Sequence, residues 1–377
     1  MVGAPNRPSR RRVTPNNSSL SVASGDPAPI VLAANQPSGR PYRGGSGIAR
    51  FRGASQLDPY IPEDFVASTT EVFSGHGVGL TVLPDGRTLR EAVESDPLGY
   101  LGADHVREFG TNTMLLVKLL STDERLFVHY HPDAAFASEH LGSPRGKTEA
   151  WIVVDTGTDT DAENRDDAYA LLGFNRPVTP SEVERWVAHQ EVPEMLAALN
   201  RVPLRAGDTL FVPAGLPHAI GPGITLVEVQ EPTDLSILLE YGGYPGFTQS
   251  SALLGLDLHT AVTGLEMSQW SEKQLATLAA GRSFDDSTVA QRLFPATADS
   301  FFAAWRLDVD TRHTLAVGFS VLVVAGGHGL LESHSANFKL EPGMTVLIPY
   351  GAGEVSLVGP VRAILCTPPA PRQPRAA

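Results

Sequence analysis

The chain has 377 residues, of which 42% are hydrophobic, and its formal net charge is −13. This length is sufficient for two domains with sizeable cores, and no apolar run approaches the ~18 residues that span a bilayer. Because nucleic acids and anionic membranes both require a cationic face, the charge argues against either as a partner.

The first forty residues differ in composition from the rest. Arg7, Arg10, Arg11 and Arg12 are followed by Ser, Asn, Pro and Gly without an apolar period, which predicts a disordered Arg/Ser/Pro-rich tail over residues 1–40. A paired-arginine export signal is the alternative. It would need an apolar segment of ~7 to 15 residues after the arginines, and none follows.

Short apolar and β-branched runs alternate with turn residues from about residue 67 onward, which predicts a barrel or sandwich of many short strands. The predicted strands are 115–120, 126–128, 151–155, 209–212, 225–229 and 236–239. Helices interrupt them. Three capping boxes open the predicted helices, namely Thr88-x-x-Glu91, Ser181-x-x-Glu184 and Ser271-x-x-Gln274, the last of which stops at Gly281. The interval 177–200 is predicted to be a helical insertion.

Three histidines and one glutamate stand in strand-like surroundings. His129 and His131 are two residues apart, so on a strand their side chains point to the same face. Glu149 follows them, and His218 comes later in the chain after a turn. Three imidazoles and one carboxylate are a suitable ligand set for one divalent metal ion.

Two turns and a short predicted strand precede His218. Gly207 turns the chain, residues 209–212 form a predicted strand, and the turn from Pro213 to Pro217 determines where His218 points. We therefore expect His218 to meet the other three ligands.

These segments resemble a known family. Gly207-x5-Pro213-x-Gly215-x2-His218 is similar to the second motif of the cupin superfamily, and His129-x-His131 to the start of the first. Glu149 lies 18 residues after His131, within Gly146-Lys147-Thr148-Glu149. This interval resembles that of the class I mannose-6-phosphate isomerases, and the similarity to them extends from about Tyr42 to the end of the chain. The resemblance implies a mainly β fold of two cupin (double-stranded β-helix, jelly-roll) barrels. It also implies one divalent metal, Zn²⁺ first, with Fe, Mn, Co or Ni as alternatives.

The C-terminal part repeats the second motif in degraded form. Gly343-x5-Pro349-x-Gly351 is followed by Glu354 in the place of His218, and no histidine pair precedes it. We therefore predict a tail over 1–40, a metal-binding cupin domain over 41–245, a helical connector over 246–290 and a degenerate cupin domain over 291–377. A second metal site of Glu354, His328 and His334 is the alternative.

Candidate catalytic residues lie near the ligands. Lys147 is two residues before Glu149 and would face the same side, Glu228 lies in the strand after His218, and Asp234 follows it. A solvated turn lysine and ion-paired carboxylates are the structural alternatives. The resemblance implies that Lys147 and Glu228 act in catalysis.

Two positions depart from the isomerases. Ten residues after Glu228, where the isomerases have an arginine that contacts the substrate, this chain has Leu238; His129 replaces their usual glutamine. Leucine offers no donor fork for phosphate. Arg145, Lys147 or Arg176 would supply the missing cation, with ordinary surface charge as the alternative.

The predicted function is that of a metal-dependent aldose–ketose isomerase acting on a hexose or hexose phosphate, by proton transfer through a metal-stabilised cis-enediol. A cupin metal-dependent oxygenase and a non-catalytic sugar-binding cupin are the alternatives. We expect a monomer or homodimer whose partner is a small sugar. Cys366, the one cysteine, cannot form an internal disulfide and is expected to pack in its apolar run, which favours a cytoplasmic location.

Overall fold

The computed structural model describes residues 26–55, 58–72, 75–157, 168–279 and 288–372. Four antiparallel sheets dominate these residues, two of five strands in the N-terminal half and one each of six and four strands in the C-terminal half. This is the two-sheet arrangement per unit that is typical of jelly rolls.

The first sheet of the N-terminal half has the strand order β2-β3-β10-β5-β8. Its strands are β2 (Glu63–Val66), β3 (Leu116–Ser121), β5 (Glu149–Asp155), β8 (Thr209–Val212) and β10 (Thr225–Gln230). The second sheet has the order β11-β4-β9-β6-β7. It consists of β4 (His129–Tyr130), β6 (Tyr169–Phe174), β7 (Leu199–Pro203), β9 (His218–Ile220) and β11 (Ile237–Leu238).

The centre of the first sheet is buried but not wholly apolar. Every residue of β3 and of β10 is buried, which apolar and β-branched side chains favour. Two of those residues are charged, Lys118 in β3 and Glu228 in β10, and they lie directly opposite each other in the register. Charges at the centre of a buried strand pair require partners, so this position marks the polar interior of the barrel.

Ten α-helices occur in the described residues. They are α1 (Gly47–Arg52), α2 (Leu89–Ser95), α3 (Pro97–Leu101), α4 (Ala103–Phe109), α5 (Ala134–His140), α6 (Pro180–His189), α7 (Val192–Ala197), α8 (Gln249–Ala252), α9 (Leu258–Thr263) and α10 (Glu272–Leu278). None of them combines the length and the apolar character needed to cross a bilayer.

The predicted caps are confirmed at two of three helices. Thr88 caps α2 and Ser271 caps α10, each in a reciprocal capping box, whereas the predicted end at Gly281 lies outside the described residues. At α6 the prediction was wrong. Thr179 is the cap and accepts a hydrogen bond from the backbone N–H of Glu182, so Ser181 lies inside the first turn. The reason is Pro180, which suits the first helical position and places the cap one residue before it.

The C-terminal half forms a second pair of sheets. The six-stranded sheet has the order β1-β18-β15-β20-β13-β12 and the four-stranded sheet the order β14-β19-β16-β17. The strands are β12 (Ala290–Arg292), β13 (Ala303–Val309), β14 (Arg312–Leu315), β15 (Ser320–Gly327), β16 (Gly329–Glu332), β17 (Asn337–Leu340), β18 (Thr345–Ile348), β19 (Val355–Val358) and β20 (Val361–Thr367). Fifteen buried apolar side chains fill the space between these sheets. This interior is a packed core.

A strand from the N-terminal segment completes the second pair of sheets. β1 (Ile30–Leu32) pairs antiparallel with β18, with Ile30 opposite Leu347. Residues 26–40 therefore do not belong to a disordered tail, which corrects the predicted boundary at residue 40, and residues 1–25 lie outside the described part. The strand forms because pairing satisfies its backbone groups at an edge that would otherwise be open.

Candidate metal centre and active site

Three histidines converge inside the N-terminal barrel. His129 in β4 lies directly opposite His218 in β9, and His131 follows β4 at once. Their ring centroids are 4.1 Å apart for His129 and His218, and 4.9 Å apart for the two pairs that include His131. One ligand nitrogen from each ring lies within 4.8 Å of the others. The three histidines are therefore near enough to hold one metal ion.

Backbone carbonyls orient all three rings. The Nδ1 atoms of His129, His131 and His218 lie 3.0, 2.9 and 2.8 Å from the carbonyl oxygens of Phe127, Leu235 and Leu216. A carbonyl only accepts, so each Nδ1 carries the proton and donates, which leaves Nε2 as the unprotonated nitrogen that can bind a metal.

The protonation state agrees with this orientation. Burial, and then the neighbouring ammonium of Lys147, hold the pKa of His131 at about 3. Burial also lowers the pKa of His129 and of His218. Neutral imidazoles at physiological pH are the form that binds metals.

Glu149, the first residue of β5, faces the histidines from the opposite sheet. Its Oε2 lies 2.9 Å from Nε2 of His131, and its Oε1 lies 3.4 Å from Nε2 of His218. The indole Nε1 of Trp151 donates to Oε1 at 2.8 Å and so orients the carboxylate. Burial raises the pKa of Glu149, but opposing influences, of which the charge of Lys147 is the largest, outweigh this effect, and the net pKa is well below its usual range.

These donors fit a divalent cation. With the protons on Nδ1, Nε2 of His131 and the Glu149 carboxylate are both acceptors, and in the structure the ammonium of Lys147 lies 3.0 Å from each of them. Nε2 of His218 is buried and has no hydrogen-bond partner among the described residues. The predicted ligands His129, His131, Glu149 and His218 are thus brought together.

The second motif positions His218 as its spacing suggested. Gly207 and Gly215 both have positive φ, +90° and +84°, which glycine adopts at no steric cost. The backbone N–H of Gly215 donates to the carbonyl oxygen of His131 at 2.7 Å. One hydrogen bond therefore joins the two motifs across the site.

Lys147 and Glu228 lie beside the histidines. Nζ of Lys147 lies 3.0 Å from Nε2 of His131, 3.0 Å from Oε2 of Glu149 and 3.3 Å from Oε1 of Glu228. All of these side chains are buried, and Lys147, Glu149 and Glu228 line one cavity with His129. Sequence spacing had suggested this proximity for both candidates.

Burial is the largest influence on the pKa of Glu228. It raises the pKa to about 8, against the lowering influence of Lys147 and with the support of the Glu149 charge. For Lys147, burial lowers the pKa, but the carboxylates of Glu149 and Glu228 outweigh it and the net pKa is raised. The pair therefore combines a lysine that stays charged with a carboxyl that titrates near neutral pH.

Asp234 lines the same cavity but belongs to an ion-pair network. Nζ of Lys118 lies 3.0 Å from Oε1 of Glu63 and 3.1 Å from Oδ1 of Asp234. Arg40 pairs through Nε with Glu63 and lies 3.5 Å from Asp234. Burial opposes ionisation of Asp234, yet Lys118 and Arg40 lower its pKa, so it remains a carboxylate at neutral pH.

The predicted substitute cations differ in position. Arg145 is half-buried and is not among the residues that line the cavity. Arg176 is exposed, pairs with Glu182 at 2.6 Å and stacks on the ring of Trp186, which agrees with the alternative of ordinary surface charge. Both contacts of Arg176 are made with residues of α6, in the helical insertion. Leu238 is buried in β11 opposite His129 and packs in the apolar core.

Three charged residues of the cavity wall escaped prediction: Lys118, Glu63 and Arg40. Lys118 carried a signal, because a lysine inside the apolar run 115–120 is rare unless it is paired. Arg40 carried none, since its partner Asp234 is 194 residues away.

The second barrel has no comparable cluster in the described part of the chain. Glu354, His328 and His334 are all exposed, and Nδ1 of His334 lies 3.0 Å from the carbonyl oxygen of Ala352. This geometry argues against the alternative metal site.

The proteins of similar sequence are mannose-6-phosphate isomerases. No protein-family model matches the chain. Mannose-6-phosphate isomerase from Bacillus subtilis is 26% identical over 297 residues, which cover 78% of this chain and 87% of that protein. Mannose-6-phosphate isomerase from Streptococcus mutans is 30% identical over 189 residues, 48% of this chain and 54% of that protein. The resemblance to mannose-6-phosphate isomerases is confirmed.

The fold prediction is confirmed as well. The crystal structure of the mannose 6-phosphate isomerase from Bacillus subtilis superposes with a TM-score of 0.67 and 19% identity, covering 90% of this chain and 99% of that chain. The mannose-6-phosphate isomerase-like chain thus has the mainly β, two-barrel architecture predicted from its motifs.

Proposed function

We propose that this chain is a metal-dependent isomerase that interconverts an aldose and a ketose, with a hexose or hexose phosphate such as mannose 6-phosphate as substrate. The relatives named above support the reaction class. The observation that carries the proposal is the contact of Lys147 and Glu228 next to three histidines whose Nε2 atoms are kept free of protons.

The proposed metal ligands are His129, His131, Glu149 and His218, for one divalent ion. Three neutral imidazoles and a carboxylate suit Zn²⁺ first, while Fe, Mn, Co and Ni also accept such a set. When bound, the ion would supply Lewis acidity towards the oxygens of the sugar.

Glu228 is the proposed proton carrier. Its carboxylate takes the proton from C2 of the aldose and returns it to C1, while a second proton passes from O2 to O1, so the sum is an isomerisation without gain or loss of atoms. The raised pKa of Glu228, about 8, supports this role because a base works best when its pKa lies near the working pH. Lys147 would hold the carboxylate in place and stabilise negative charge that develops on the sugar oxygens.

Asp234 is proposed as a positioning residue. Because its pKa is lowered, it is a weak acceptor of protons at neutral pH, and its contact with Lys118 at 3.1 Å supports a role in fixing the cavity wall. Lys147 remains the proposed substrate contact among the cations predicted from the sequence.

We propose a cytoplasmic monomer or homodimer. The single cysteine, Cys366, is buried, and burial raises the pKa of its thiol, which supports an unreactive packing role in a reducing compartment.

The test is an isomerisation assay on purified protein, metal-loaded and chelator-treated, with mannose 6-phosphate and free mannose. We expect turnover only in the loaded protein, and its loss in His218→Ala. Binding of either sugar without turnover at any metal would contradict the proposal in favour of a sugar-binding cupin. Oxygen consumption with an iron-loaded sample would favour an oxygenase.

A further inference from the structure

The cavity wall lacks the cation that the family resemblance leads one to expect. Leu238 is buried among apolar side chains and offers no donor. Three other cations line the cavity, Arg40, Lys118 and Lys147. They differ in how much of the side chain remains accessible to a ligand.

Arg40 is the most accessible of the three. Its side chain is 20% exposed, compared with 1% for Lys118 and 6% for Lys147. The two lysines lie within about 3 Å of carboxylates on more than one side. They are therefore held inside the wall.

The guanidinium of Arg40 is only partly engaged. Nε pairs with Glu63, and Nη2 makes a long contact of 3.5 Å with Asp234. Nη1 has no hydrogen bond or ion pair within the described segments. Arginine presents five donors in a planar fork that matches phosphate, so an edge of this fork is available.

The chain around Arg40 is fixed by backbone contacts. The N–H of Arg40 donates to the carbonyl oxygen of Tyr60 at 3.3 Å, and Nε2 of Gln36 donates to that of Ile61 at 3.0 Å. Upstream, the N–H of Asn35 donates to the Asp64 carboxylate at 2.9 Å. A side chain on a segment held at these points is suitable for specificity, because little order is lost on binding.

We propose that Arg40 binds the phosphate group of the substrate and thereby takes the role of the cation absent at Leu238. This inference rests on the proposed function and adds the residue that recognises the phosphate group. Arg40 lies outside both sheets of the N-terminal barrel, and its contacts would place the phosphate at the part of the cavity wall that carries Glu63 and Asp234.

The local charge permits an anion there. Arg40 and Lys118 balance Glu63 and Asp234, so an incoming phosphate does not meet uncompensated carboxylates at this part of the wall. The weaker of the Arg40 contacts, that with Asp234, is the one that a phosphate oxygen would replace.

The test compares phosphorylated and free sugar in Arg40→Met. We expect the ratio of kcat/KM for mannose 6-phosphate to kcat/KM for mannose to fall about ten- to hundredfold, mainly through KM for the phosphate ester. Arg40→Lys keeps the charge but not the fork and should give an intermediate ratio. The matched control is Arg43→Met. Arg43 lies three residues after Arg40, is exposed and pairs with Asp123, so its removal should leave the ratio unchanged.

A structural role for Arg40 predicts a different result. Both kcat/KM values would then fall together with a constant ratio, and this outcome would overturn the proposal. Thermal unfolding checks that the variants fold. If Arg40→Met does not fold, the ratio of the two kcat/KM values in Arg40→Lys decides between the two roles.

Calorimetric titration with mannose 6-phosphate separates this inference from the proposed function. Binding that is at least tenfold weaker in Arg40→Met supports the phosphate contact even if the wild-type protein turns over neither sugar. Equal affinity in both proteins, or no binding by the wild type, rejects it, whatever the outcome of the isomerase assay.

Discussion

Lys147 and Glu228 approach each other to 3.3 Å between Nζ and Oε1, although one precedes β5 and the other lies in the middle of β10. The lysine keeps its charge, and burial raises the pKa of the carboxyl to about 8. A buried carboxyl of this kind next to a fixed cation can take up and release a proton near neutral pH. The arrangement leads to the first prediction.

Glu228→Gln should lower kcat by about 10² to 10⁴, because an amide of the same shape cannot carry the proton. The metal content should stay at the wild-type level, since Glu228 is not one of the four proposed ligands. The measurement is kcat together with metal analysis by plasma mass spectrometry. Glu354→Gln, at an exposed carboxylate of the second barrel, is the control and should keep full turnover. A tenfold or smaller loss in Glu228→Gln would mean that another group moves the proton.

His218→Ala should remove most of the bound metal. The protein should carry about one equivalent of divalent ion, and loss of one imidazole from a four-ligand set weakens binding strongly. His334→Ala is the matched control, because this histidine is exposed in the second barrel and lies outside the cluster. Equal metal content in the two variants would show that the ion binds elsewhere.

Lys118→Met should destabilise the protein by about 3 kcal/mol at pH 7.5, because it leaves the buried carboxylates of Glu63 and Asp234 without the ammonium that lies between them. Urea denaturation measures the difference in the free energy of unfolding. Lys339→Met, which removes an exposed lysine, should change it by less than about 0.5 kcal/mol.

The deficit of Lys118→Met should depend on pH. In the wild type, Lys118 and Arg40 lower the pKa of Glu63 and Asp234 against the effect of burial. That stabilisation is present above the pKa values of the unfolded chain and is lost only as the pH falls through the lower folded values. Without Lys118 the two carboxyls protonate at higher pH, which relieves the unpaired charge. The deficit should therefore shrink between pH 7.5 and pH 4.5, and a constant deficit would point to lost packing instead.

Gly215→Ala should weaken metal binding as well as stability. A Cβ at this position would lie 3.2 Å from the carbonyl oxygen of Gly264, and the positive φ adds strain of about 1 to 2 kcal/mol. The turn would shift, and with it the hydrogen bond from Gly215 to His131. Gly207→Ala has the same φ strain but open space around its Cβ, so it should lose stability with unchanged metal affinity. Metal titrations of both variants separate the two effects.

Strands with dense apolar content were predictable from the sequence. The predicted strand 209–212 coincides with β8, the predicted strand 115–120 differs from β3 by one residue at each end, and the predicted strand 225–229 differs from β10 by one residue at its C-terminal end. Burial on both faces gives such strands a continuous apolar pattern. Residues 126–128 were wrongly predicted to be a strand. They bond across to Ile220 and Leu239 through isolated backbone contacts without forming a ladder.

The candidate site was predictable where chemistry and spacing coincide. The three histidines and Glu149 come from two short motifs, and local geometry was enough to bring them together. The ion-pair network was not predictable, because Glu63, Lys118 and Asp234 come from two different strands and a loop that are far apart in the sequence. A charged residue in an apolar strand indicates that a partner of opposite charge is needed, but the sequence does not indicate which residue the fold places beside it.

The pairing of β1 with β18 joins residues near position 30 to residues near position 347. During synthesis on the ribosome, the segment that leads into the first barrel therefore remains without its strand partner until nearly the whole chain has emerged. Contacts over such sequence distances form late and slow folding. The six-stranded sheet is consequently complete only when the N-terminal segment is present, and an excised C-terminal barrel would expose the edge of β18 to other chains.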